Sequence, residues 1–138
     1  MGLDFTAWNA AVIDEFRANG GRVEEFADRP LVILHTTGAK SGEERLNPLM
    51  HLVEDGGIVV FASRAGEDKH PDWYHNVRAD PQVEVELGDR TVRARAVEVT
   101  GEERDRLYAE MKAKYPQFAD YEAATSRVIP VVRLRYEE

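Results

Sequence analysis

Two polar stretches of this chain carry the residue types that hold anions. The first is TTGAKSGEER, residues 36 to 45. Gly38 and Gly42 permit positive φ and close backbone approach. Lys40 and Arg45 supply fixed positive charge and Ser41 a hydroxyl donor, so the run can form an anion cradle. It is not a P-loop, because the four-residue gap, the terminal Gly-Lys-Ser/Thr order and a following helix are absent. A solvated hairpin loop is the alternative reading. The second stretch is DKHPDWYHN, residues 68 to 76. Lys69 and His70 precede Pro71, so a helix opening there sets its free amides beside a cation. Trp73 offers a flat surface for packing or stacking, and Asn76 follows one turn later on the same face. The alternative is a short helix whose Trp73 belongs to the core.

A third series, Tyr115, Phe118 and Tyr121, is spaced three and three. These rings can share a face, either as a core stripe or as the lining for an aromatic substrate. The four histidines lack metal-ligand spacing. His70 and His75 are five apart, and His35 and His51 fall on expected strands with no acidic partner placed by sequence. No metal site is expected. Neither a nucleophile elbow nor a paired-carboxylate signature is present. An enzyme with this inventory takes its hard chemistry from a bound cofactor.

The elements that must position these residues follow from periodicity. Asp4 can cap a helix on which Phe5, Trp8, Val12 and Phe16 recur, ending at Asn19-Gly20-Gly21. Its aromatic face packs on the core, or touches a partner subunit or membrane surface. The missing Lys/Arg-rich polar face disfavours the membrane. Pro30 to Thr36 and Arg45 to Val53 read as strands, with Pro48 demanding an edge position or a bulge. Asp55-Gly56-Gly57 turns into a strand over Ile58 to Ser63. A loop from Arg64 to Lys69 leads to a short helix with Pro71 at its first position, stopping before Pro81. Val83 to Leu87 and Thr91 to Val99 flank a second hairpin turn. Thr100 and Glu103 form a capping box for a helix running to about Lys114. Tyr115 to Arg127 is a helical or irregular excursion, and Ile129 to Tyr136 the last strand. The result is an α+β chain of about six antiparallel strands, and closing them into a small barrel removes exposed edges.

Composition narrows the function further. At 138 residues the chain fits one domain, 1–138, with residues 1–20 as an N-terminal amphipathic helix. A net charge of −8 argues against a nucleic-acid partner, which needs a basic face. The absence of cysteine excludes disulfides and thiolate chemistry and is compatible with the cytoplasm. No apolar run approaches the ~20 residues of a membrane span, and the acidic, interrupted start is no signal peptide.

TTGAKSGEERLNPLM, FASRAGEDKHPDWYHN, ADPQVEVELG and the late YPQFADY before VIPVVRL resemble, in order and spacing, the deazaflavin-dependent nitroreductase family. The resemblance runs from about Leu31 to Leu134. It implies a split β-barrel, related to flavin-reductase and pyridoxamine-oxidase barrels, that binds coenzyme F-420, a deazaflavin with a phosphate and oligoglutamate tail. It also implies an oxidoreductase that passes a hydride from the reduced coenzyme to a quinone, nitroaromatic or similar acceptor. By the same resemblance Lys40, Ser41, Gly42 and Arg45 hold the anionic tail, and Pro48 and Met50 line the deazaflavin. Ala62, Ser63 and Arg64 run along the ring, Lys69, His70, Trp73 and Asn76 close the groove, and Tyr115, Phe118 and Tyr121 line the substrate pocket. Ser63 and Tyr121 are the expected donors to the developing oxyanion. Ala39 stands where a basic residue is common, Arg64 where lysine is, and Phe118 where tyrosine occurs. The missing hydroxyl at 118 bears on nitro-drug activation more than on quinone reduction. An FMN-dependent enzyme on the same barrel and a non-catalytic deazaflavin carrier are the alternatives, and a homodimer is expected by analogy of fold.

Overall fold

The computed structural model describes residues 6–26 and 31–137. Asp4, Phe5 and Pro30 therefore lie outside the described residues. Helix α1 (Thr6–Ala18) precedes β1 (Leu31–Thr37), β2 (Glu44–Glu54) and β3 (Gly57–Phe61). Then come α2 (Asp72–Ala79), β4 (Gln82–Glu86), β5 (Thr91–Val99), α3 (Gly101–Lys114), α4 (Gln117–Ala124) and β6 (Val131–Glu137). All six strands pair antiparallel in the order β1-β2-β3-β6-β5-β4, and β4 returns to β1 to close a barrel.

The apolar patterning explains which strands are covered on both faces. In β1, Val32 and Leu34 point into the barrel, while Leu31 and Ile33 pack outward against Val12, Ile13 and Phe16 of α1. In β3, Ile58 and Val60 fill the interior, and Val59 and Phe61 face Leu107, Tyr108 and Met111 of α3. Both strands read as unbroken apolar runs because neither face meets water. Strands β4 and β5 instead alternate Val83, Val85 and Ala94 with exposed Glu84, Arg93 and Arg95, since their outer faces are solvated. Fully burying a side chain of the size of Phe16 contributes about 1.5–3 kcal/mol, so α1 is held by packing rather than by its short length. Trp8 is 39 % exposed, sits edge-on to Phe26 and donates its indole N–H to Glu25 at 3.3 Å.

Pro48 lies where a ladder tolerates it. Residues His51 to Glu54 of β2 pair with β3, whereas Glu44 to Met50 pair, among the described residues, with β1 alone. The chain leaves β3 at Ala62, whose N–H turns to the carbonyl of Pro130. The barrel wall is thus open along the first half of β2, and Pro48 withholds no hydrogen bond from a neighbour there.

Two local expectations are corrected. Pro71 is the N-cap of α2 rather than its first helical residue, with φ −67 and ψ 154. Its extended ψ keeps the His70-Pro71 segment outside the helix, which begins at Asp72, one residue later than expected. The Thr100–Glu103 capping box does not form, because Thr100 makes no side-chain cap bond. Glu103 is drawn instead to Arg133 on β6, at 2.7 Å, a guanidinium that also takes Glu54. A charge-assisted bond to arginine outweighs a neutral backbone donor.

Candidate functional site

The glycine loop between β1 and β2 is folded on itself. Gly38 donates its N–H to the carbonyl of Glu43 at 2.7 Å, and Gly42 donates to Gly38 at 2.9 Å. Ser41 Oγ accepts from the Glu43 N–H at 3.1 Å. A Cβ on Gly38 would stand 2.6 Å from that Oγ, so only glycine fits beneath the serine. Gly42 has φ +73, a conformation that favours glycine, and open space where a Cβ would point. Lys40 and Arg45 are exposed on this turn. Arg45 lies 3.4 Å from Glu43, a solvated contact that an arriving anion can displace. Among the described residues no ion pair engages Lys40.

Asn76 joins this loop to the second motif. From the first turns of α2 its Oδ1 accepts the N–H of Ala39 at 2.9 Å, and its Nδ2 donates to Thr36 Oγ1 at 3.1 Å. All of this is buried at Asn76 and Thr36. The amide thus fixes how the cationic loop stands against the helix that carries Lys69 and His70 at its approach. Trp73, on the same face of α2, is 2 % exposed and belongs to the barrel core with Tyr74 and Val77. Its ring closes the barrel end and presents no open face for stacking in this structure. Lys69 is exposed and His70 half-buried.

The segment between β3 and α2 has an unusual backbone. Arg64 and Ala65 hold φ values of 46° and 52°, followed by Gly66 at 81°. Each non-glycine left-handed residue costs on the order of 1 kcal/mol. Gly66 donates to the Ser63 carbonyl at 2.9 Å and Glu67 to Arg64 at 3.0 Å, closing the turn. Arg64 itself pairs with Glu67 at 2.6 Å. Arg127, which the sequence reading passed over, reaches in from the far side. It donates to the carbonyls of Ala62, Ser63 and Glu67 at 3.0, 2.7 and 2.8 Å, and to Nδ1 of His70 at 3.0 Å. That last bond puts the His70 ring proton on Nε2. Burial, with Arg127 and His75 nearby, holds His70 below the ordinary histidine range.

Helix α4 forms a further wall. Gln117 Nε2 donates to Tyr121 Oη at 3.0 Å and lies 3.6 Å from Met50 Sδ on β2. Tyr115 and Tyr121 are half-buried here. Phe118 is 4 % exposed, edge-on to Phe61 and Tyr121, so its ring is core rather than pocket lining. Its carbonyl accepts from the Tyr108 hydroxyl at 2.7 Å, a phenol that burial pushes up to about 12. Gln117 and Thr36 were also missed from sequence. Gln117 sits inside the aromatic series, where its i to i+4 spacing to Tyr121 was the available signal.

His35 gains the acidic partners that its sequence position did not reveal. Nε2 lies 2.6 Å from Glu86 and Nδ1 3.2 Å from Glu44, while Arg17 grips Glu86 at 2.7 Å. Arg17 holds the Glu86 carboxyl below its usual range. Ligand atoms of His35, Glu44 and Glu84 lie within 4.8 Å of one another, beside a cleft of about 430 Å³. With both ring nitrogens engaged, His35 joins Glu44 to Glu86, and Glu86 to Arg17 of α1, in one polar chain across the barrel wall. The cleft adjoins the glycine loop at Gly42, and Glu44, Asp80 and Glu84 make its lining mostly acidic, the wrong sign for an anionic tail.

Residues 8–135 match the family model described as F420H(2)-dependent quinone reductase. The chain belongs to that family. An F420H(2)-dependent quinone reductase of Mycobacterium tuberculosis is 34 % identical over 108 residues, covering 76 % of this chain and 72 % of the relative. A solved F420-H2 dependent reductase is 44 % identical with a TM-score of 0.71, covering 78 % of this chain and 95 % of its own. A second solved relative, described as a domain-swapped dimer, is 38 % identical with a TM-score of 0.72, over 96 % and 100 %. More distant barrels, below 25 % identity, share the split-barrel fold alone. For this quinone reductase family the residues present suit the coenzyme. Two exposed cations, Lys40 and Arg45, stand on the loop beside the half of β2 that pairs with β1 alone.

Proposed function

We infer that the protein uses reduced coenzyme F-420 to reduce a quinone. The junction at Asn76 carries this reading, since it locks a cationic glycine loop to α2 beside the unpaired half of β2. The bound coenzyme supplies a hydride, two electrons with one proton, and water completes the hydroquinone. Lys40, Ser41, Gly42 and Arg45 hold the tail through charge-assisted bonds. Pro48 and Met50 would line the ring, Ala62, Ser63 and Arg64 would run along it, and Lys69 and His70 would close the groove. Asn76 acts through the loop it tethers, and Trp73 through the barrel end it closes. Tyr115 and Tyr121 flank the acceptor, with Phe118 supporting them from the core. Tyr121 accepts from Gln117, which leaves its own O–H to donate to the oxyanion developing on the quinone. Ser63 is the second donor.

Fluorescence titration with oxidised coenzyme F-420 and, separately, with FMN tests this reading. Saturable quenching of the deazaflavin and coenzyme-dependent reduction of menadione are expected. Binding of FMN alone, or deazaflavin binding without turnover of any quinone, would overturn it. A second copy of this chain is the partner we propose on the strength of the domain-swapped relative. Light scattering reads that state directly, and a monomer at all concentrations would refute it.

A further inference from the structure

We infer that Arg127 is a positioning residue for the coenzyme, acting through the backbone of Ala62 to Glu67. The inference rests on the reading of this segment as the edge of the coenzyme site. Three observations carry it. First, the segment contains two consecutive non-glycine residues in the left-handed region, Arg64 and Ala65, a conformation that persists only where surrounding contacts impose it. Second, beside the turn's own backbone bonds, the carbonyls that flank this pair are held by one guanidinium. Four bonds run from Arg127: Nε to Glu67, Nη1 to Ala62 and to His70, and Nη2 to Ser63. A planar fork with five N–H donors suits such a set, and an ammonium cannot reproduce it. Third, the segment before Arg127 is tied to the same turn. Thr125 Oγ1 donates to Asp68 at 2.7 Å and accepts the N–H of Arg127 at 3.2 Å.

The consequence for the site is directional. With the Ser63 carbonyl held by Arg127, the trans peptide aims the Arg64 N–H the opposite way, off the clamp. The position of Ser63, and of the amides that follow, is therefore set by a side chain that need not touch the coenzyme. Arg127 itself lies just before the last strand, 64 residues from Ser63 in sequence, so it ties the C-terminal part of the chain to its middle at the site.

Arg127→Lys and Arg127→Gln test this, with Arg104→Lys as control. Arg104 also fastens a carbonyl, donating twice to Ile129 at 3.1 and 2.8 Å, but on α3 outside the groove. Thermal unfolding, the Kd for oxidised coenzyme F-420, and KM and kcat for menadione are measured for all four proteins. Losing charge-assisted bonds that shape the site should raise the coenzyme Kd about tenfold or more in both Arg127 variants. Lysine, which keeps the charge, should rescue little. Arg104→Lys should lower the melting temperature yet leave Kd at the wild-type value. A folded Arg127→Lys protein with wild-type Kd overturns the inference and leaves the coenzyme reading standing. Equal Kd changes in Arg127→Lys and Arg104→Lys also overturn it, because a general loss of stability then explains both. Wild-type protein that fails to bind the coenzyme sinks the underlying reading, and the inference with it.

Discussion

His70 shows how one ring depends on its surroundings for its charge. Arg127 donates into its Nδ1, which requires a neutral imidazole. Desolvation lowers its pKa most, and Arg127, His75 and Arg78 add to that, while Glu98 opposes them. The ring also packs against Tyr74 at 4.8 Å and His75 at 5.9 Å. A histidine whose folded pKa lies below its unfolded value of about 6.5 binds fewer protons when folded. Stability therefore rises with pH through the window just below ~6.5 and is lost as pH falls through it. Melting temperature measured across this window should climb in the wild type and climb less in His70→Gln. Parallel curves would show that His70 does not contribute. The pairing was not legible in sequence, because Arg127 and His70 are distant in the chain and share no motif. Lys40, Gly42 and Arg45 were legible, since a local loop needs only local residues to declare itself.

At the scale of elements, α4 docks on the left-handed turn, so the proposed acceptor wall and the proposed coenzyme edge share one contact. Gly66 makes that approach possible. A Cβ there would stand 2.9 Å from Ala124 Cβ and from the Tyr121 carbonyl, at φ +81. Gly66→Ala thus adds roughly 1–2 kcal/mol of backbone strain and an overpacking cost of about 1–3 kcal/mol. The relief available is a shift of α4, which carries Tyr121 and Gln117. We expect a melting temperature lower by several degrees and a raised KM for menadione. A variant with wild-type KM would show that the acceptor does not sit against α4. The apolar runs of β1 and β3 and the alternation of β4 and β5 announced the strands, and Pro48 announced the open half of β2. The left-handed pair stayed hidden because Arg64 and Ala65 have no preference for that region. Glu103 was misread because its strongest partner, Arg133, arrives only when β6 closes the barrel.

The whole molecule carries a net charge of −8, yet the coenzyme that its family uses ends in a phosphate and carboxylates. Two electrostatic effects then oppose each other. The summed negative charge repels the approaching tail over long distances, while under the proposed assignment Lys40 and Arg45 attract it at contact. The acidic cleft around His35, Glu44 and Glu84, which adjoins the loop at Gly42, adds to the repulsion. Screening treats the two unequally. At ~0.15 M salt the Debye length is about 8 Å, so the distant repulsion fades first and contact pairs persist longer. Association of the wild type with oxidised coenzyme should therefore quicken between ~0.01 and ~0.15 M salt, while dissociation quickens only at higher salt. Lys40→Ala combined with Arg45→Ala removes the contact attraction and leaves the repulsion. Its Kd should rise about tenfold at low salt, each exposed cation contributing up to about 1 kcal/mol. The gap from wild type should narrow as salt rises and both proteins lose their charge contrast. Stopped-flow mixing at several salt concentrations separates the two rates. An unchanged low-salt Kd in the double variant would move the tail away from this loop, and with it the orientation of the ring in the open half of the barrel.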